Sequence, residues 1–297
     1  MKKFLLCSLC LLISLTFVAC SQDLTVDNSV VINSSSSNSS YVSQSITSIL
    51  DNSIENSTET SIDSTTSNVE SVFKSESVSS KPSEPENSSK TYLLSCVDSL
   101  CVRSSNSVNS TVFGYLDKGD LCTYISKAGD FYKTKYKEKT AYVSTKYCEK
   151  VEFDLSSLEV EKTIDFACNL LGYPYVFGSE RYHWGNGKLN TNFKNGEFDC
   201  SALVQYVYFK SCGVLLDVTS RAQSLNGKAV SKANLKRGDL MFFTNDSRKN
   251  KSGIERIGHV GIYFGDNYIL HTASDHAVIE EISQKRWSYY ITARRVV

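Results

Sequence analysis

Phe198-Asp199-Cys200-Ser201-Ala202-Leu203-Val204-Gln205-Tyr206-Val207-Tyr208 places one cysteine where a polar, glycine-bearing loop turns into an apolar-periodic run. Ala202, Leu203, Tyr206 and Val207 fall on one helical stripe, so the spacing predicts a helix from Cys200 to about Lys210. A thiol in the first turn of a helix faces the positive end of the macrodipole and unpaired backbone amides, and both favour the thiolate. The position suits a nucleophile. A single cysteine is more often a small buried hydrophobe or a disulfide partner, so the rest of the chain has to supply its chemistry.

Working outward, Val160, Ile164, Ala167, Leu170 and Leu171 recur at helical spacing and stop at Gly172 and Pro174. Beyond the Cys200 helix, Leu240-Met241-Phe242-Phe243 and Val260-Gly261-Ile262-Tyr263-Phe264 read as short strands. Helix, loop, helix, then strands is an α+β order. His259 opens the second strand, and His271 ends the next run, Tyr268-Ile269-Leu270-His271. A turn around Gly265-Asp266-Asn267 makes the two runs a hairpin that sets His271 opposite His259 or one diagonal step away, on the same face. Val260, Ile262 and Phe264 then form the apolar face, while Gly261 leaves room beside the histidines. A helix-start cysteine facing a histidine pair is what thiol nucleophilic catalysis requires. His259 takes or holds the thiol proton, and His271 bonds its second ring nitrogen and fixes the tautomer.

With 297 residues, 32 basic and 32 acidic side chains, the chain has room for two modest domains and lacks the basic footprint of a nucleic-acid binder. Ten cysteines without a Cys-x-x-Cys pair or zinc-ligand spacing point to an exported, partly disulfide-bonded protein rather than a metal centre. Met1-Lys2-Lys3 followed by an apolar run to Val18 reads as a secretory signal, residues 1–20. Residues 21–90, dominated by Ser, Asn and Thr, carry too few apolar side chains to offset chain entropy and read as a disordered tether. Residues 91–152 change to short β-rich runs separated by polar turns, a small all-β domain. Cys96, Cys101, Cys122 and Cys148 lie inside it; disulfides Cys96 to Cys148 and Cys101 to Cys122 are the first expectation among three connectivities. Cys168 and Cys212, on the two helices, are either a further pair or two free thiols.

Several words then carry family likenesses. Phe17-Val18-Ala19-Cys20-Ser21 resembles the lipobox of bacterial lipoproteins, with Phe17 in place of the usual leucine; the resemblance implies a lipidated Cys20 on the outer face of the cytoplasmic membrane. Cys101-Val102-Arg103-Ser104-Ser105, Val112-Phe113-Gly114-Tyr115-Leu116-Asp117-Lys118-Gly119-Asp120, Phe131-Tyr132-Lys133-Thr134 and Ala141-Tyr142-Val143-Ser144 resemble, in order, the bacterial SH3-like module of cell-wall proteins. Phe198-Asp199-Cys200-Ser201-Ala202-Leu203-Val204, Lys236-Arg237-Gly238-Asp239-Leu240, Gly258-His259-Val260-Gly261-Ile262-Tyr263 and Leu270-His271-Thr272-Ala273 resemble the motifs of the NlpC/p60 family of cell-wall cysteine peptidases.

The resemblance implies a multi-domain chain, an SH3-like barrel followed by an α+β papain-like domain of the NlpC type with an antiparallel sheet over residues 158–297. It makes Cys200 the nucleophile, His259 the base and His271 the orienting residue, with the oxyanion met by amides at the helix start. By the same likeness Tyr175 and Arg221 belong to the substrate site, and Asp199 and Ser201 cap the helix or touch substrate. The implied reaction is hydrolysis of peptidoglycan stem peptides, often after γ-D-glutamate, by a monomer needing no metal or organic cofactor. An amidase cutting between glycan and L-alanine, and a catalytically silent wall-binding lipoprotein, are the rival readings. The connection from Ser179 to Glu197 and the polar stretch Asn245 to Arg256 depart from the family pattern, the first as a site for rebuilt selectivity and the second as a rim loop.

Overall fold

Two of the eight N-terminal strands alternate inward and outward side chains, as a half-buried sheet requires: Leu100 and Val102 point in where Cys101 and Arg103 point out, and Ala141 and Val143 repeat the pattern. The computed structural model describes residues 89–273 and 275–297; the expected signal peptide, Cys20 and the tether up to residue 88 lie outside the described residues. The strands are β1 (Ser89–Ser95), β2 (Leu100–Arg103), β3 (Val112–Leu116), β4 (Leu121–Thr123), β5 (Ser126–Ala128), β6 (Phe131–Tyr136), β7 (Lys139–Ser144) and β8 (Cys148–Asp154). They form a five-stranded sheet, β3-β2-β7-β6-β5, and a three-stranded one, β4-β1-β8. The β6–β7 hairpin turns on Lys137 and Glu138, both at positive φ (51° and 58°), the two-residue turn whose twist suits paired strands. Two boundaries move. Strand β1 takes in Ser89 and Lys90 from the expected tether, and β8 pairs along β1 as far as Ser89↔Asp154, two residues past the expected domain end.

The second module comprises α1 (Leu158–Asn169), α2 (Cys200–Cys212), α3 (Ser220–Gln223), β9 (Lys228–Val230), β10 (Leu240–Phe243), β11 (His259–Gly265), β12 (Tyr268–Ala273), β13 (His276–Glu281), α4 (Gln284–Ser288) and β14 (Tyr290–Arg295). Its antiparallel sheet runs β13-β12-β11-β10-β14-β9. Helix α2 starts on an Asp199 cap and runs to Cys212, two residues beyond the sequence expectation, where Gly213 stops it in the left-handed region (φ 70°). Every residue from Cys200 to Tyr208 is buried. Such a helix needs cover all round. The sheet covers one side, and the 179–197 connection covers another: the Tyr182 and Phe193 rings each lie 5.1 Å from Tyr206, and His183 lies 4.9 Å from Phe209.

The two modules share a core. Tyr92 and Phe153 from β1 and β8 meet Phe264 and Tyr268 from β11 and β12 edge to face, with centroids 4.9 to 5.7 Å apart. Beneath them Arg237 donates to Glu161 on α1 (2.8 and 3.1 Å), to the Tyr92 hydroxyl (2.7 Å) and to the Phe264 carbonyl. At a second contact the amides of Lys137 and Glu138 donate to the carbonyls of Leu171 and Asn169 (2.8 and 2.7 Å). Gly172 is forced by this docking, because its φ is +84° and a Cβ there would sit 2.1 Å from the Tyr136 ring.

The cysteine pairings are corrected. Cys96, Cys101, Cys122, Cys148, Cys168, Cys200 and Cys212 are all free thiols. Cys101 and Cys122 belong to different sheets. Cys168 is fully buried, whereas the Cys212 thiol lies against the Tyr208 carbonyl, 3.1 Å away. Cys7, Cys10 and Cys20 lie outside the described residues.

Candidate active site

Cys200 is the first residue of α2, and its side chain is 9% exposed. The thiol faces the backbone amides of Ser201 and of Val260, the residue after His259, so the helix start and the head of β11 meet at the sulfur. These amides favour the thiolate, as expected for a helix start, but they do not win. Burial, reinforced by the Asp199 carboxylate, pushes the thiol up to about 11. Burial thus opposes the pull of the helix-start amides on the thiol.

The hairpin forms as the sequence suggests, with one irregularity. Strands β11 and β12 pair Ile262↔Leu270, and a bulge at Phe264 shifts the register to Gly265↔Tyr268. Continued along the strands, that register puts His271 opposite Gly261, one diagonal step from His259. Gly261 must lack a side chain: a Cβ would come within 2.6 Å of Ile269 and 2.9 Å of the His271 Cβ. The imidazoles meet at 2.7 Å, His259 Nε2 to His271 Nδ1. The chain of contacts then continues. His271 Nε2 lies 3.0 Å from Glu280 Oε1 on β13, which also accepts from Arg286 Nη2 on α4 at 2.8 Å.

Charge along this chain fixes the tautomers. Burial raises the Glu280 carboxyl, but its bonds to His271 and Arg286 outweigh that and hold it below its ordinary 4.5. An ionised carboxylate only accepts, so His271 carries its proton on Nε2 and leaves Nδ1 bare. His259 must then donate through Nε2, which frees Nδ1 as an acceptor. Burial, His271 and Arg286 hold the His259 imidazole well below 6.5, and burial holds His271 below it too. Both rings are neutral at pH 7, and the outer nitrogen of the pair is a base.

The remaining expected residues divide. Tyr175 lies close enough to Cys200 for the thiol to add to the burial that raises its phenol, and it lines a cavity of about 450 Å³ together with His259. Asp199 and Ser201 are occupied by protein partners. Asp199 Oδ1 accepts from the Ala202 amide and the Ser201 hydroxyl (2.8 and 3.0 Å), and Oδ2 accepts from Arg181 at 2.8 Å. Arg221 pairs with Glu255 at 3.4 Å and is absent from the lining of the His259 cavity. The polar stretch after β10 does reach the cavity, through Asn245.

Three participants were missed. Arg181 clasps the cap: besides Asp199 it donates to the Ser201 hydroxyl (3.1 Å) and to the carbonyls of Ser179 and Val218 (2.6 Å each). Glu280 and Arg286 lie on β13 and α4. His276-Ala277-Val278-Ile279-Glu280-Glu281 offered a signal, a β-rich run after the second histidine whose antiparallel return brings a carboxylate beside it.

Comparison with known proteins agrees with this arrangement. Residues 172–296 match the NlpC/P60 family and residues 98–149 the bacterial SH3 domain. A peptidoglycan DL-endopeptidase, CwlO, of Bacillus licheniformis is 37% identical over 41% of this chain and 26% of its own length. A gamma-DL-glutamyl hydrolase of Bacillus subtilis is 32% identical over 54% of the chain and 35% of its own. A gamma-D-glutamyl-L-lysine dipeptidyl-peptidase of Bacillus cereus is 31% identical over 48% and 38%. The chain thus spans between about a quarter and two fifths of the length of these relatives. It carries a bacterial SH3 domain followed by a domain of the NlpC/P60 family, a family of cysteine peptidases.

Proposed function

We propose that the chain is a peptidoglycan endopeptidase that hydrolyses stem peptides at the bond after γ-D-glutamate, through an acyl-enzyme on Cys200. The observation that carries this reading is the meeting of a helix-start thiol with the head of β11, where His259 is bonded to a buried His271 at 2.7 Å. The names of the relatives support the substrate class, since they act on γ-glutamyl bonds or on peptidoglycan.

The chemistry follows from the neutral resting pair. As the substrate carbonyl approaches, His259 Nδ1 takes the thiol proton while sulfur bonds to carbon, so thiolate character develops only during attack. The negative oxygen of the tetrahedral adduct is met by amides of the first turn of α2, which have no intrahelical acceptor. Collapse breaks the C–N bond, and the proton held by His259 goes to the leaving amine. Water, deprotonated by the same nitrogen, then hydrolyses the thioester and restores the thiol. His271 stays neutral and, through Glu280, keeps His259 in the useful tautomer.

The SH3 domain holds the enzyme to the wall, and a lipidated Cys20 with the tether after it keeps it on the outer face of the cytoplasmic membrane. The test is digestion of defined muropeptides by the full chain, with mass spectrometry of the products. The expected new amino group belongs to the diamino acid, and Cys200→Ala lowers its release by at least about a thousandfold. A new amino group on L-alanine instead identifies an amidase, and unchanged release by Cys200→Ala removes the mechanism.

A further inference from the structure

The cavity beside His259 carries a charge pattern that the hydrolytic chemistry does not use. It lies between the end of β10, the head of β11 and the α4 segment, and its lining includes two cations, Lys285 and Arg286, and no carboxylate. Arg286 is half-buried, with a side chain 26% exposed, and among the described residues its only side-chain hydrogen bond is the one to Glu280. A guanidinium has five N–H donors in a fixed fork, so most of its hydrogen-bonding capacity remains open. Asp246, next in sequence to the lining Asn245, is engaged by Lys249 (3.1 Å) and the Tyr289 hydroxyl (2.8 Å). A second observation is independent of charge. Thr272 also lines the cavity, is 2% exposed, and keeps a buried hydroxyl with no partner among the described residues. Buried hydroxyls are normally paired, and this one is available to a ligand.

The side of the scissile bond follows from the proton path. His259 gives its proton to the leaving amine, so the fragment bearing that amine has to lie against His259, and this cavity is the space there. We propose that the cavity is a carboxylate-binding subsite for the leaving fragment, in which Lys285 and Arg286 supply the charge and Thr272 and Asn245 supply hydrogen bonds. The inference rests on the proposed endopeptidase reading. Two carboxylates can supply the chemistry: the C-terminal carboxylate of a short, uncross-linked stem, or the second carboxylate of a diaminopimelate residue. Either makes the enzyme prefer peptides whose charge has not been masked by amidation or consumed in a cross-link.

The test needs no turnover. The full chain carrying Cys200→Ala is titrated by calorimetry with L-Lys-D-Ala, with its C-terminal amide, and with the meso-diaminopimelate analogue amidated at either carboxylate. The free acid is expected to bind at least about tenfold tighter than the amide, as charge-assisted pairing allows. The preference should shrink with added salt and vanish in the Lys285→Glu variant, whose melting temperature should be unchanged. Loss of affinity on amidation of only one diaminopimelate carboxylate identifies the source. Equal affinity for acid and amide, no binding of either, or a preference that survives Lys285→Glu overturns the subsite. Because cleavage is read separately in wild-type digests, failure of the subsite and failure of the peptidase reading are distinguishable.

Discussion

Two arginine–glutamate pairs in this molecule do opposite work. Arg237 and Glu161 are buried, with side chains 6% and 11% exposed, and the arginine spends four contacts on Glu161, Tyr92 and Phe264. Arg286 and Glu280 are 26% and 33% exposed; among the described residues the arginine makes one side-chain hydrogen bond, and the glutamate turns the rest of its field onto His271. The first network is closed and holds two modules together. The second is open at both ends, toward a base on one side and a cavity on the other. A saturated ion pair has nothing left with which to recognise a substrate, whereas an unsaturated one can orient a neighbour and still bind.

The sharpest way to break the comparison is Arg237→Met. It leaves Glu161 charged and buried with only the Ser156 amide (3.0 Å) as a donor and strips the Tyr92 hydroxyl of its own. Breaking such a pair costs about 3–5 kcal/mol, so thermal unfolding should shift down by on the order of ten degrees. Activity per folded molecule should be kept at low temperature. An unchanged melting point would mean that aromatic packing alone joins the modules.

The open pair predicts the reverse, activity lost and stability kept. Glu280→Leu removes the acceptor that holds the proton on His271 Nε2, so the tautomer of His259 is no longer imposed. We expect kcat to fall about 10- to 100-fold with KM little changed and the melting point within a degree or two. Glu280→Gln, which keeps an acceptor oxygen in place, should retain more. Nitrogen-15 spectra of the two imidazoles read the effect directly, with Nδ1 of His259 unprotonated in the parent and mixed in the leucine variant. A parent spectrum with the proton on His259 Nδ1 would sink this account.

Acidity separates the two networks again. His259 must be neutral to act, and its value lies well below 6.5, so kcat/KM should stay flat down through 6.5 and fall only at lower pH. An ordinary histidine would have lost about tenfold by one unit below its pKa. The stability sign follows the same depression. Unfolded His259 and His271 take up protons near 6.5 while the folded rings resist, so stability contributed by the neutral buried rings declines as pH falls below 6.5. A rate profile with its acid midpoint at 6.5 or above would contradict the neutral pair.

What the sequence made legible follows from how local each cause is. The Cys200 helix, α1, the β11–β12 hairpin and the meeting of His259 with His271 rest on periodicity and turn residues within about fifteen positions, and all appear. The short strands β9 and β14 and the five-residue α4 have weak patterns of their own and are held by sheet partners far along the chain. Arg286 went unread for that reason, whereas Glu280 sits on β13, whose local pairing with β12 left a readable but unused signal. The environment of the thiol was half legible: a helix start was visible, but the burial that works against it is a property of the assembled core. The 179–197 connection read as a rebuilt substrate loop, yet much of it is spent covering α2, because a helix apolar on every side announces its need for cover without naming what supplies it.

The smallest effect probes how much of the closed network is charge and how much is shape. Tyr92→Phe keeps the ring that lies 4.9 Å from Phe264 and removes only the hydroxyl bonded to Arg237 at 2.7 Å. One Arg237 donor then loses its acceptor in a site with no room for bulk water, while the bidentate contact to Glu161 remains. The expected loss is about 1 kcal/mol, the ordinary contribution of one buried hydrogen bond, and so a fall of about 2–4 °C in melting temperature. Combined with Arg237→Met, the tyrosine change should add almost nothing, since its partner is already gone. Full additivity in that double variant would show that the Tyr92 hydroxyl acts independently of Arg237, and the contrast between a saturated pair and an open one would then rest on Glu161 by itself.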